Sequence, residues 1–208
     1  VREIIGDRCL AAGNVATYAG ADYLASCSAD IIKVGIGGGS ACTTRIKTGF
    51  GVPTLFSIRE CARVDRSLIA DGGMRSPGDI VKALAFGADF VMLGGMLSGT
   101  EPTPNDVISL EDGSKAKRYR GMASLEAVED QYGPMPEWKT AEGVSFYVPY
   151  RDNHEQILGD IRGGLRSGLT YAGAMNVQEL QRKLTYMSIS QASQKESGAH
   201  GVSDRSVQ

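Results

Sequence analysis

Histidine is scarce, with two in 208 residues, and neither His154 nor His200 has a partner that spacing can identify. His200 lies in a polar C-terminal stretch and is expected to be inert. The four cysteines (Cys9, Cys27, Cys42 and Cys61) lack metal-ligand spacing and read as reduced thiols of a cytosolic protein. Neither sign of charge is in excess. A net charge of −2 points to no nucleic acid and no anionic membrane surface. No apolar run approaches the about 18 residues of a membrane span, and no secretory leader pattern is visible. The expectation is a cytoplasmic protein with no membrane partner. No initiator Met precedes Val1, which begins in what reads as the end of a helix, so a fragment or trimmed chain is expected. No repeat of solenoid length is present.

The rest of the composition is that of one sizeable domain with a core, at 42% hydrophobic content. Glycine is abundant, at 27 residues, and gathers in short loops after hydrophobic runs. Strand and helix patterns alternate through the first half. Residues 9–15, 30–35, 67–70 and 89–93 read as strands. Helices are expected over 18–26, from Pro53 to about 64, and over 77–86 with Ser76 as cap and Pro77 at the first position. Such β–loop–α units imply a parallel sheet with crossover helices.

The second half departs from this rhythm. Asp112-Gly113 signals a hairpin between 107–110 and 115–119. Lys115, Lys117 and Arg118 read as a solvated hairpin face. A short helix is expected within 120–129. A mobile loop over 131–142 holds Pro134, Pro136 and the single Trp138. Helices follow over 153–167 and from a capping-box-like start at Asn176 and Glu179. From 191 the chain has almost no large apolar residues and is expected to be disordered. About four β/α units are visible, where a complete eight-stranded barrel takes roughly 250 residues. A barrel reading therefore makes this chain its C-terminal half plus insertions.

Three strand ends carry ligand-type loops: 37–44, Asp71-Gly72-Gly73 and Gly94-Gly95. Ligands gather at the C-terminal ends of parallel strands. Glycine N–H groups before a helix suit phosphate, and Asp71 suits a ribose diol. Each glycine pair alone reads first as a tight strand-to-helix turn; three in succession, one with a cysteine, point to a nucleotide site. Cys9, in a strand, and Cys61, in an apolar helix, read as small buried hydrophobes. Cys42 does not, being flanked by Ser40, Thr43, Thr44 and Arg45. Loop N–H groups and Arg45 favour a reactive thiolate there. Carbonyls of the Gly-x-Gly loop can also ring a monovalent cation. Glu142, read alone, is a solvated loop carboxylate.

The run from Gly35 through Ser40-Ala41-Cys42-Thr43-Thr44-Arg45 resembles the catalytic loop of the IMP dehydrogenase / GMP reductase family. Asp71-Gly72-Gly73, Gly94-Gly95 and Tyr119-Arg120-Gly121-Met122 follow in that family's order, and the resemblance covers about residues 1–190. Within the family the chain looks more like the reductase branch. Gly94-Gly95-Met96 lacks the dehydrogenase's usual Ser, the segment 119–143 is short, and Ala141-Glu142-Gly143 ends it in reductase fashion. The resemblance implies a TIM (β/α)8 barrel. Residues 1–190 would form a partial barrel with a flap at about 129–148, and 191–208 a disordered tail.

The resemblance further implies NADPH-dependent conversion of GMP to IMP and ammonia through a Cys42 thioimidate. Thr44 and Glu142 would handle the leaving group's proton. Substrate contacts would come from Ser40, Asp71, Gly72, Gly73, Gly94, Gly95, Tyr119, Gly121, Met122, Ala123, Lys139, Glu142 and Gly143. Cofactor contacts would come from Ile36, Gly37, Met122, Trp138, Lys139, Ser167 and Thr170. Potassium would sit at Gly37, Gly39, Cys42, Thr44 and Arg45. A homotetramer is implied as well. Gly38 stands where the family usually has Pro, Lys139 where many reductases have Arg, and Ala123 where Ser or Gly is common. The alternatives are an NAD-dependent IMP dehydrogenase, or a non-catalytic nucleotide-binding fragment.

Overall fold

The computed structural model describes residues 1–198. After a four-residue helix α1 (Arg2–Ile5) come four parallel strands: β1 (Ala11–Val15), β2 (Ile31–Val34), β3 (Ser67–Asp71) and β4 (Phe90–Met92). They lie side by side in the order of the sequence. Helix α2 (Tyr18–Ser26) connects β1 to β2. The short α3 (Thr44–Thr48) and α4 (Thr54–Cys61) connect β2 to β3, and α5 (Pro77–Ala85) connects β3 to β4. The helix starts are written locally. Thr17 accepts from the Gly20 N–H, and Ser76 accepts from the Asp79 N–H with Pro77 at the first position.

Strand alternation divides the sheet into two unlike faces. Ile32, Val34, Leu68 and Ala70 are fully buried against α2, α4 and α5, together with Ile58 and Cys61. Each large apolar side chain there contributes about 1.5–3 kcal/mol relative to exposure. The opposite face carries Lys33, Ile69, Asp71, Phe90 and Met92, none of them buried. Lys33, Asp71 and Met92 on this face line one cavity, so this is the face open to a ligand. Helix α7 (His154–Tyr171) and α8 (Val177–Arg182) cover α5 through Ile80, Leu84, Ile161, Leu165 and Leu180. No described helix is long and apolar enough to cross a membrane.

The hairpin of β5 (Val107–Ser109) and β6 (Lys115–Arg120) gains a third strand, β7 (Ser145–Pro149), antiparallel to β6. The flap expected over about 129–148 therefore shrinks. Its first residues belong to α6 (Leu125–Tyr132) and its last to β7, which leaves 133–144 irregular. Three sequence expectations need correction. Lys117 is buried rather than solvated, and its Nζ donates to the carbonyls of Glu101 at 2.8 Å and Thr103 at 2.6 Å. Cys9 precedes β1 and is exposed, whereas Cys61 is buried as expected. Gln191–Glu196 forms the short helix α9, capped by Ser190 and burying no residue, at the start of the stretch expected to be disordered. Residues 199–208, the rest of that stretch, lie outside the described residues, as does His200.

Candidate active site

The loops after β2, β3 and β4 meet above that open face because their glycines admit backbone contact. Gly35 has φ +142°, and a Cβ there would fall on the Asp71 carbonyl. Gly72 has φ +91°, and a Cβ would sit 2.9 Å from both Gly38 C and Gly39 N. The loops after β2 and β3 therefore touch backbone to backbone. Gly95 packs against Ser40, and Gly94 against Tyr119 of β6, where a Cβ would stand 2.9 Å and 2.8 Å from the respective hydroxyls. Those two hydroxyls share a hydrogen bond of 3.1 Å. Ser40, Gly72, Gly73, Gly94, Gly95 and Tyr119 thus line one recess of about 260 Å³. Backbone amides and hydroxyls gathered there can hold a phosphate.

That recess adjoins a cavity of about 510 Å³ lined by Gly37, Gly39, Cys42, Thr44, Gly121, Met122, Ala123, Glu142 and Gly143. Asp71, Ser40, Gly94 and Tyr119 line both spaces. The flap end is stitched to the cysteine loop by main-chain bonds. Thr43 N donates to Glu142 O at 2.8 Å, Val144 N to Ala41 O at 3.0 Å, and Glu142 N to Ala123 O at 3.0 Å. This stitching makes a continuous chain of side chains. Cys42 Sγ donates to Thr44 Oγ1 at 3.2 Å, and Thr44 Oγ1 donates to Glu142 Oε2 at 2.8 Å. The thiol proton has a hydroxyl relay to a carboxylate, the arrangement that activates a nucleophile. Glu142 is therefore no solvated bystander.

Arg45 does not turn to the thiol. Its guanidinium lies along Gly37 and Gly51 and donates to Val52 O at 2.9 Å. Gly38 faces Thr54, whose hydroxyl would be 2.7 Å from a Cβ on Gly38, so a proline there would require Thr54 to move. Ile36 is half-buried behind the loop, and its carbonyl accepts from Val52 N at 3.2 Å. Trp138 and Lys139 lie exposed in the irregular segment, and Ser167 and Thr170 lie exposed on α7. None of these four lines the Cys42 cavity. Met122 does, and it is 78% exposed overall.

Two lining residues escaped the sequence reading. Lys33, in β2, forms an ion pair with Asp71, and Asn14 Nδ2 donates to the same carboxylate at 2.9 Å. The available signal was a lone charged residue inside the apolar strand Ile31-Ile32-Lys33-Val34.

The same loop suits a monovalent cation held by carbonyls. Among the described residues no backbone N–H donates to the carbonyls of Gly37 or Cys42, while Gly39 O accepts from Cys42 N at 3.1 Å. No group of three or more His, Cys, Asp or Glu side chains that could hold a metal occurs among the described residues. Thr44 and Arg45 fit this role less well. Thr44 Oγ1 is spent on Cys42 and Glu142, and the Thr44 and Arg45 carbonyls accept within the turn of α3.

Residues 1–200 match the IMP dehydrogenase / GMP reductase domain. The chain is 40% identical over 206 residues to a GMP reductase of Ascaris suum, covering 97% of this chain and 58% of that protein. Among solved structures, it is similar to an inosine 5′-monophosphate dehydrogenase from Legionella pneumophila at 68% identity and a TM-score of 0.79, covering 92% of this chain and 59% of that one. It is also similar to a GMP reductase from Trypanosoma brucei in complex with guanosine 5′-monophosphate, at 38% identity and a TM-score of 0.88, covering 97% and 44%. The chain thus spans 44% to 59% of the length of these relatives, and its parallel sheet is part of a TIM barrel. Sequence motifs, fold and site geometry lead to one assignment: the chain belongs to the IMP dehydrogenase / GMP reductase family.

Proposed function

We propose that the protein containing this chain is a GMP reductase, converting GMP to IMP and ammonia in purine nucleotide interconversion with NADPH as reductant. The observation that carries this reading is the Cys42–Thr44–Glu142 relay inside a cavity adjoining a recess lined by glycines and hydroxyls. GMP sits with its phosphate among Ser40, Gly73, Gly94 and Gly95 and its ribose at Asp71. Gly121, Met122, Ala123 and Gly143 border the base.

The Cys42 proton passes through the Thr44 hydroxyl to Glu142, and the thiolate adds to purine C2. The exocyclic amine receives a proton back from Glu142 through Thr44 and leaves as ammonia, so the C2–N bond breaks as the C2–S bond persists. This leaves the Cys42 thioimidate. Met122, exposed and lining the cavity, would border a reduced nicotinamide, which would supply the hydride that C2 requires. The C2–S bond then breaks, releasing IMP and the Cys42 thiolate. The carbonyls of Gly37, Gly39 and Cys42 would hold a potassium ion, which would supply charge to keep the loop in shape. Lys139, Trp138, Ser167 and Thr170 are assigned to the cofactor on sequence resemblance, and a homotetramer likewise.

A second reading has its own support. The 68% identity to a protein named inosine 5′-monophosphate dehydrogenase favours NAD-dependent oxidation of IMP. Incubation of the protein with GMP plus NADPH, and separately with IMP plus NAD, separates the two. Turnover confined to IMP and NAD would overturn the reductase reading.

A further inference from the structure

The cavity contains a charged group that the relay does not use. Lys33 pairs in register with Ile69 on β3, and Asp71 lies two residues beyond Ile69 on the same strand face. The two side chains therefore meet diagonally across adjacent strands. Lys33 Nζ donates to Asp71 Oδ2, and Asn14 Nδ2 reaches the same oxygen at 2.9 Å while also donating to Gly35 O at 2.7 Å. Both contacts converge on one carboxylate oxygen. No hydrogen bond among the described residues reaches the other, Oδ1. Gly13, opposite Lys33 in the β1–β2 register, leaves the room this needs, because a Cβ there would lie 2.8 Å from Lys33 Cβ.

We infer that Lys33, with Asn14, is a ribose-selecting positioning residue that anchors Asp71 by one oxygen so that the other accepts from the ribose diol of a 5′-nucleotide. This deepens the proposed function and rests on its placement of a nucleotide at Asp71. A carboxylate fixed at one oxygen presents the other in a set direction, and the Lys33 ammonium offsets a negative charge that would otherwise repel the phosphate of the ligand. Lys33 is 31% exposed and Asp71 25%, so the pair is only partly screened by water.

Equilibrium binding of GMP and of 2′,3′-dideoxy-GMP, measured by calorimetry on the unmodified protein and on Lys33→Met and Lys33→Arg, tests this without needing turnover. The unmodified protein should prefer GMP by about tenfold or more, the usual worth of a charge-assisted hydrogen bond. Lys33→Met should bring the two affinities to within about threefold of each other, and Lys33→Arg should restore most of the preference. Thermal melting of each variant identifies loss of fold. A Lys33→Met protein that melts normally and keeps its preference for GMP would overturn the inference, as would an unmodified protein with no preference. Failure of the reductase reading shows separately, as absence of turnover with GMP and NADPH while ribose selectivity persists.

Discussion

Thr44 Oγ1 donates to Glu142 Oε2 at 2.8 Å, although 98 residues separate them in the sequence. The contact exists because the Thr43 N–H to Glu142 carbonyl bond brings the flap end onto the cysteine loop. Replacing either partner breaks the proton route and leaves the cavity's shape. Glu142→Gln and Thr44→Val are each expected to lower kcat about 10²–10⁴-fold, with GMP binding retained. Ammonia release under saturating GMP is the measurement, and a Glu142→Gln enzyme of near-normal kcat would remove the relay from the mechanism.

The thiols should differ sharply in reactivity. Burial pushes the Cys61 thiol up to about 11, whereas Cys9 and Cys27 are exposed and Cys42 lines the cavity. Iodoacetamide at neutral pH should label Cys9, Cys27 and Cys42 and spare Cys61 until the protein unfolds. Saturating GMP should protect Cys42 alone, as read by peptide mass spectrometry. Equal labelling of Cys42 with and without GMP would place the nucleotide elsewhere.

Gly72→Ala tests the loop contact that shapes the phosphate recess. The new Cβ would meet Gly38 and Gly39 backbone at 2.9 Å from a residue with φ +91°. Neither backbone can yield as a flexible side chain could, so a loss of about 1–3 kcal/mol in stability is expected, seen as a lower Tm. An unchanged Tm would mean that the β2 and β3 loops separate easily.

These elements differ in how far the sequence announces them. Helix α5 is legible because Ser76 and Pro77 sit beside a run of apolar spacing, all within one local stretch. The Cys42 loop and the Asp71 and Gly94 turns are legible for the same reason. Strand β7 is not, since its partner β6 lies some 30 residues away and its short Ser-Phe-Tyr-Val-Pro run shows no alternation and ends in proline. Lys117 read as solvated because nothing local reveals the two carbonyls that receive its ammonium. Lys33 has no local partner in its apolar strand, and only the parallel register sets it diagonal to Asp71. The relay was legible only through family resemblance, because its geometry depends on the non-local stitching at Glu142.

Acid should loosen the flap's anchor. The Ser145 hydroxyl foremost, then Glu126's own backbone N–H and Arg118, hold the Glu126 carboxyl below the usual glutamate range. A depressed carboxyl stabilises the fold above its unfolded pKa, and that contribution is lost as pH falls through the folded value. The Tm difference between the unmodified protein and Glu126→Gln should therefore be present at neutral pH and vanish in the acid range below the ordinary glutamate pKa. A difference that persists at low pH would assign the effect to packing instead.

Cys42 is proposed to act at C2 of GMP in a reductive deamination. The direct measurement is a single stoichiometry: IMP, ammonia and NADP formed from GMP and NADPH by the protein, and by its Cys42→Ser variant. The three products should form in equal amounts, with Cys42→Ser inactive yet still binding GMP. Turnover by Cys42→Ser, or products only from IMP and NAD, would contradict that role.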